Sequence, residues 1–140
     1  MNAPLYTTEI LRLAASLGAP RTLEREDGRA EARSPTCGSR VSVAVNLDEH
    51  GRVAMLSQTV HACAFGQASA ALLERGAIGR SRSEVKEAYD RFALWLTGSG
   101  DEPDWPGSKA LAPARSRKSR HGAILLPFRA LIAAIDSSDG

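Results

Sequence analysis

No apolar run in this chain approaches the ~20 consecutive residues that a helix needs to cross a bilayer. A membrane-spanning helix is therefore not expected. The N-terminus also lacks the basic stretch and following apolar run of a secretory signal, which makes a cytoplasmic location the expectation. Cysteine is scarce, with two in 140 residues. In such a chain two cysteines read as thiols, metal ligands or core residues before they read as a structural disulfide. Charge of one sign is lacking too: 18 Lys and Arg stand against 16 Asp and Glu, a net +2. That is too little to imply a nucleic-acid partner. There is no internal repeat and no low-complexity segment. What remains is 43% hydrophobic and 24% charged, the balance of an ordinary soluble globular protein. The length suits one domain over 1–140 with one core.

The pattern along the chain divides it in two. Residues 8–17 place Ile10, Leu11, Leu13, Ala14 and Leu17 on one helical face, with Gly18 as a stop. Residues 23–33 are polar and suit an edge strand interrupted by Gly28. Val41, Val43, Val45 and Leu47 alternate with small or polar residues, and 48–51 carry a turn signal. Residues 53–60 then return as a second strand, giving an antiparallel hairpin within a small three-stranded sheet. The second half is helical. An Ala- and Leu-rich stretch over 64–74 ends at Gly76. A helix over 84–96 buries Val85, Ala88, Tyr89, Phe92 and Leu96, with Ser83 as a partial N-cap. A last helix over 122–135 contains Pro127, which either kinks it or marks its first turn. Between these helices, 98–120 reads as a loop and a basic linker, with Trp105 as an exposed loop residue and Trp95 in the core. The basic charge is concentrated in Arg115, Arg117, Lys118 and Arg120. Such a run is a solvated linker or a docking surface for an acidic partner.

The candidate chemistry rests on Cys37, in Pro35-Thr36-Cys37-Gly38-Ser39, and Cys63, in His61-Ala62-Cys63-Ala64-Phe65-Gly66-Gln67. Pro35 and Gly38 demand a turn, so Cys37 does not read as a central core residue. Cys63 stands where alternation gives way to a helical pattern. A thiol there meets the positive end of a helix dipole, which favours its anionic form. Two such thiols brought together would make a soft-metal site. His121 is a candidate ligand, or else the exposed end of the basic linker. His61 lies two residues from Cys63 and shares its face if the strand continues, which makes it a rival ligand. His50 reads as a solvated turn residue.

These two cysteine frames, separated by a hairpin, resemble the NifU-like N-terminal domain family, which contains the IscU and SufU iron–sulfur cluster assembly scaffolds. The resemblance covers roughly 5–135. It implies an α+β fold, a three-stranded antiparallel sheet packed against four to five helices. It also implies that both cysteine loops and the start of the last helix converge at one end. The family places an Asp two residues after the first cysteine, where this chain has Ser39. It places a third cysteine at the start of the last helix, where registering on 126–131 puts Ala123. The chaperone-recognition peptide of the IscU branch is matched only loosely by Leu111-Ala112-Pro113-Ala114-Arg115.

The function implied is a non-enzymatic scaffold that binds iron or a cluster, [2Fe–2S] by preference, through Cys37 and Cys63, with zinc as an alternative metal. The implied partners are a cysteine desulfurase and recipient apo-proteins. A cluster normally takes four protein ligands, and two cysteines in one chain are too few. Either a homodimer supplies four thiolates, or His121 or His61 and an exogenous ligand complete the site, or scaffold chemistry is lost. In the last case the chain is a binding module that docks a partner of the pathway, or a sulfur-transfer protein whose thiolate accepts a persulfide.

Overall fold

The computed structural model describes residues 6–35 and 38–138. Helix α1 (Thr8–Ala15) opens at Thr7, whose Oγ1 accepts a hydrogen bond from the Ile10 amide. Ile10 and Leu13 are buried, but Leu11 is 51% exposed. A short helix lying on one neighbour buries a narrower stripe than its apolar residues suggest.

Strands β1 (Gly28–Arg33), β2 (Arg40–Leu47) and β3 (Val53–His61) form one antiparallel sheet in that order. The alternation of β2 sends Val41, Val43 and Val45 fully into the core. The hairpin turn closes as its residues dictate. The Asp48 carboxylate accepts from the amides of His50 and Arg52, and Gly51 takes a φ of 77°. Those two amides hold the Asp48 carboxyl below its ordinary value. The first strand begins at Gly28 instead of breaking there. A Cβ on Gly28 would lie 1.9 Å from the Ala134 carbonyl oxygen in the last helix, so glycine is what lets the two backbones meet.

Helix α2 (Ala64–Gly76) follows β3, and α3 (Arg82–Leu96) follows after a short connection. The cap of α3 is Ser81, not Ser83. From Ser81 the third helical position is Glu84, and the reciprocal bonds of a full capping box form. Two serines two residues apart compete for that role, and the glutamate decides. Glu84 also pairs with Arg52 at 2.7 Å, tying the hairpin turn to α3.

The segment expected as loop and linker is largely folded. Residues 108–116 form a 3-10 helix (Ser108–Ser116) that buries Ala110, Leu111 and Ala114. The last helix, α4 (Lys118–Asp136), starts four residues before the expected Gly122. The basic residues thus decorate structured backbone, because the apolar residues between and beyond them are anchored in the core. Arg115 donates to the Trp95 carbonyl and lies 5.2 Å from that ring. Trp105, expected at the surface, is 3% exposed. Its indole N–H reaches the Leu72 carbonyl at 2.8 Å, and its ring fills the space a Cβ on Gly76 would need. Trp105 and Phe92 both pack on Phe128, with ring centres 5.1 and 5.0 Å away.

Helix α4 is the hub. It lies against α2, α3, β1 and β2. Pro127 sits inside it and is buried, neither in the first turn nor at an end. The missing N–H leaves the Ala123 carbonyl without its usual helical donor. The next carbonyl, of Ile124, takes the buried Ser69 hydroxyl of α2 at 2.6 Å.

Gly28→Ala should lower stability by at least about 1–3 kcal/mol, the usual cost of overpacking. Gly18→Ala meets only the flexible end of Glu74 and should change little. Urea midpoints of the two variants test this. A second expectation concerns acid. Arg82 grips Asp136 through two bonds, and Ser81 and Arg52 grip Glu84, so both carboxyls are held below their ordinary values. Stability from a depressed carboxyl is present above its unfolded value and is lost as pH falls through the folded value. The urea midpoint should be nearly flat from pH 7 to about 5 and fall below about 4. Replacing Asp136 by Asn together with Glu84 by Gln should flatten part of that fall.

Candidate functional site

The register of β2 on β3 sets Arg40 opposite His61. The residues just before Arg40 and just after His61 therefore leave the sheet at the same end. On one strand these are Gly38 and Ser39, and on the other Ala62 and Cys63. The amide of Ser34 closes the β1–β2 connection on the Ser39 carbonyl at 2.9 Å, and Gly38 turns with a φ of 72°. Cys37 lies outside the described residues, and so does its expected approach to Cys63.

Cys63 is the N-cap of α2. It is half-buried and carries a free thiol, and no side chain caps the helix. Gln67 secures this corner twice: its amide bonds the Cys63 carbonyl at 2.9 Å and its side-chain amide bonds the Ala62 carbonyl at 3.1 Å. One turn on, Gly66 brings α4 close. A Cβ there would stand 2.6 Å from the Ala62 Cβ, 3.3 Å from the Ala123 carbonyl oxygen and 3.4 Å from the Ala123 Cβ. The small residues of α2 thus bring the first turns of α4 to the end of the sheet.

The result is a cleft of about 140 Å³. Ser39, His61 and Cys63 line it from the sheet and α2, and Ser119, Arg120 and Ala123 line it from α4. Ala123 is buried at 1% exposure, and Ser39 at 5%. Neither brings a metal donor comparable to a thiolate or carboxylate. His61 is exposed at the rim. His121 stands elsewhere. Its Nε2 lies 2.9 Å from the Ala114 carbonyl oxygen and so carries the proton of that bond, which leaves only Nδ1 unprotonated in the neutral ring. His50 remains in the hairpin turn beside Glu49. Among the described residues, no three of His, Cys, Asp and Glu gather as a metal-holding group.

Ser119 and Arg120 do not read as wall residues in the sequence, because the basic run reads as linker when α4 is started at Gly122. The available signal was the absence of any stop residue between Lys118 and Gly122. The ion pairs of the described residues leave Arg117, Lys118 and Arg120 alone. Arg120, half-buried, lines the cleft and has no carboxylate partner among the described residues. No helix among them is long and apolar enough to cross a membrane.

The fold is similar to that of a nitrogen-fixing NifU-like protein (N-terminal) from Brucella abortus. The TM-score is 0.85, with 32% identity over 95% of this chain and 93% of the other. It is also similar to a candidate iron–sulfur cluster assembly scaffold protein for the SUF system from Fervidobacterium islandicum AW-1. That match has a TM-score of 0.80 and 20% identity, covering 94% of this chain and 96% of that one. At that identity the likeness speaks for the fold alone. No family model matches the sequence, and no curated protein does.

Ala123→Cys should add a thiol to the cleft wall and tighten zinc binding by more than about ten-fold, as read by competition with a chelator. His61→Ala should weaken it. His50→Ala, far along the hairpin, should leave it unchanged.

Proposed function

The chain belongs to the NifU-like N-terminal family, and from that premise we propose that it is a scaffold-like carrier in iron–sulfur cluster assembly. It would hold iron or a nascent cluster as cargo and turn over no substrate of its own. Cys63 supplies one thiolate, and Cys37, next in the chain to the cleft residue Gly38, supplies the second. His61 at the rim is the third donor, with His121 as the alternative. Sulfur comes from a cysteine desulfurase and the cargo passes to recipient apo-proteins. The observation that carries this reading is the cleft itself. It gathers Cys63, Ser39 and Ala123 from three separated stretches of chain at one end of the sheet.

The donors fit a transient cargo better than a resident metal. Two thiolates and one imidazole leave a four-ligand cluster incomplete. The fourth position falls to an exogenous ligand or to a second copy of the chain. Ser39, a neutral hydroxyl, contributes no charge, and Ala123 contributes no donor at all. A cluster held this way is released more readily than one held by four protein ligands, which suits a donor.

A second reading is favoured by one specific observation. Arg120, a cation without a carboxylate partner among the described residues, lines the cleft beside Cys63. That environment suits an anionic sulfur species more than a free metal ion. In this reading Cys63 accepts sulfur as a persulfide and the chain is a sulfur carrier. Arg117 and Lys118 border the same end and offer a docking surface for an acidic partner in either case.

Anaerobic reconstitution with iron, cysteine and a desulfurase separates the two. The scaffold reading expects visible absorbance from a cluster, abolished by Cys37→Ser and by Cys63→Ser. A persulfide on Cys63 with no cluster absorbance would move the assignment to the sulfur carrier. A chain that gives neither overturns both.

A further inference from the structure

Beside the thiol of Cys63 the cleft carries a feature that metal holding does not use. Arg120 reaches it from the first turn of α4, half-buried, and no carboxylate pairs with it among the described residues. Several arginines elsewhere are engaged: Arg29 with Glu26, Arg52 with Glu84, Arg82 with Asp136 and Arg91 with Glu87. Arg12, Arg21, Arg40, Arg117 and Arg129 have no ion-pair partner among the described residues either, but they are exposed, whereas Arg120 is half-buried. A planar guanidinium presents a fork of donors matched to a flat or tetrahedral oxyanion. Ser119 adds a hydroxyl from the same turn, and the wall opposite holds the thiol. The cleft is small, about 140 Å³, which suits a compact anion and not an extended peptide. Among the described residues no Asp or Glu lines it.

We infer that this cleft binds a small sulfur oxyanion of the thiosulfate class, and that Cys63 takes its outer sulfur directly. The inference rests on Cys63 being the working thiol, as in the function proposed above. The guanidinium of Arg120 and the hydroxyl of Ser119 take the sulfonate oxygens. The outer sulfur is then turned toward Cys63. The Cys63 thiolate attacks that sulfur, and a new sulfur–sulfur bond forms as the bond to the sulfonate breaks. The electron pair of the broken bond leaves with sulfite, and a persulfide anion remains on Cys63. One thiolate and one thiosulfate dianion give one persulfide anion and one sulfite dianion, so charge and atoms balance with no oxidant or reductant. Phosphate or sulfate would satisfy Arg120 equally but offer the thiol nothing to attack. They should therefore act as competitors. Iron-dependent chemistry plays no part in the step, which supplies sulfur independently of a desulfurase.

The test uses the full chain, thiosulfate and no iron. Sulfite should be released in amounts equal to the sulfur gained, and peptide mapping by mass should place one extra sulfur on Cys63. Cys63→Ser should abolish both. Arg120→Gln should raise the half-saturating thiosulfate concentration about ten-fold or more, the scale of one lost charge-assisted bond. Its urea midpoint should match that of the parent chain, which shows that the variant is folded. Sulfate should compete in the parent chain and not in the variant. Absence of sulfite from the parent chain overturns the inference, as does sulfur found on Cys37 alone. So does a folded Arg120→Gln variant whose half-saturating thiosulfate concentration equals that of the parent chain. A chain that builds a cluster with a desulfurase but leaves thiosulfate intact overturns this inference and leaves the proposed function standing.

Discussion

The close approach of α4 to its neighbours is the constraint on which the rest of this molecule depends. At one end Gly28 lets β1 press on the Ala134 carbonyl, and at the other Gly66 lets α2 press on Ala123. Between them the Ser69 hydroxyl reaches the Ile124 carbonyl. Each contact joins backbone to backbone, or nearly so, and side chains larger than glycine, alanine or serine would push the elements apart. Only with those gaps closed do the first turns of α4 reach the end of the sheet where Cys63 stands. The shape of the cleft is thus set in part by Gly28, Gly66 and Ser69, residues that do not line it.

The aromatic side of the core acts in concert. Phe128 of α4 receives Phe92 from α3 and Trp105 from the connecting segment. Trp105 in turn fills the notch at Gly76 and bonds the Leu72 carbonyl. The long stretch between α3 and α4 is therefore pinned at its middle by an indole and at its far end by Leu111 and Ala114. A backbone held at both points carries its cations in fixed positions. That is why Arg120 belongs to a wall and not to a swinging tether.

Much of this was legible in the residues. The strict alternation of Val41, Val43 and Val45 announced β2, the Asp48–Gly51 turn announced the hairpin, and the small-residue run after Cys63 announced α2. The two cysteine frames carried the family resemblance, and the fold bears it out. What stayed hidden depended on tertiary contact. Gly28 looks like an interruption until α4 lies against it. Trp105, among Asp104, Pro106 and glycines, looks like a surface loop until the notch at Gly76 is seen. The cap of α3 turned on whether Glu84 lay three residues from the serine, a matter of one register step. The start of α4 was obscured because Lys118, Ser119 and Arg120 carry no apolar signal of their own. They are helical because the 3-10 helix before them is buried. The cleft followed the same rule: Cys63 was visible from its frame, whereas Arg120 could be placed beside it only once α4 had its true first turn.

Pro127 and the Ser69 bond together divide α4 into two stretches with different tolerances. Beyond the proline, the helix is keyed to Phe92, Trp105 and the Gly28 notch, and cannot rotate. Before it, only a few turns separate the fixed point from the cleft. An α-helix advances about 100° per residue. A single residue inserted between Arg120 and Ala123 would swing Arg120 and Ser119 about a quarter-turn or more out of the cleft, while Ala123, Ile124 and Leu126 keep their buried places. One deleted there would swing them the other way. A change of length there can therefore remove the chemistry of the cleft without altering any residue that lines it. In this chain the spacing from Arg120 to Ala123 shapes the cleft as much as the identity of the residues that line it.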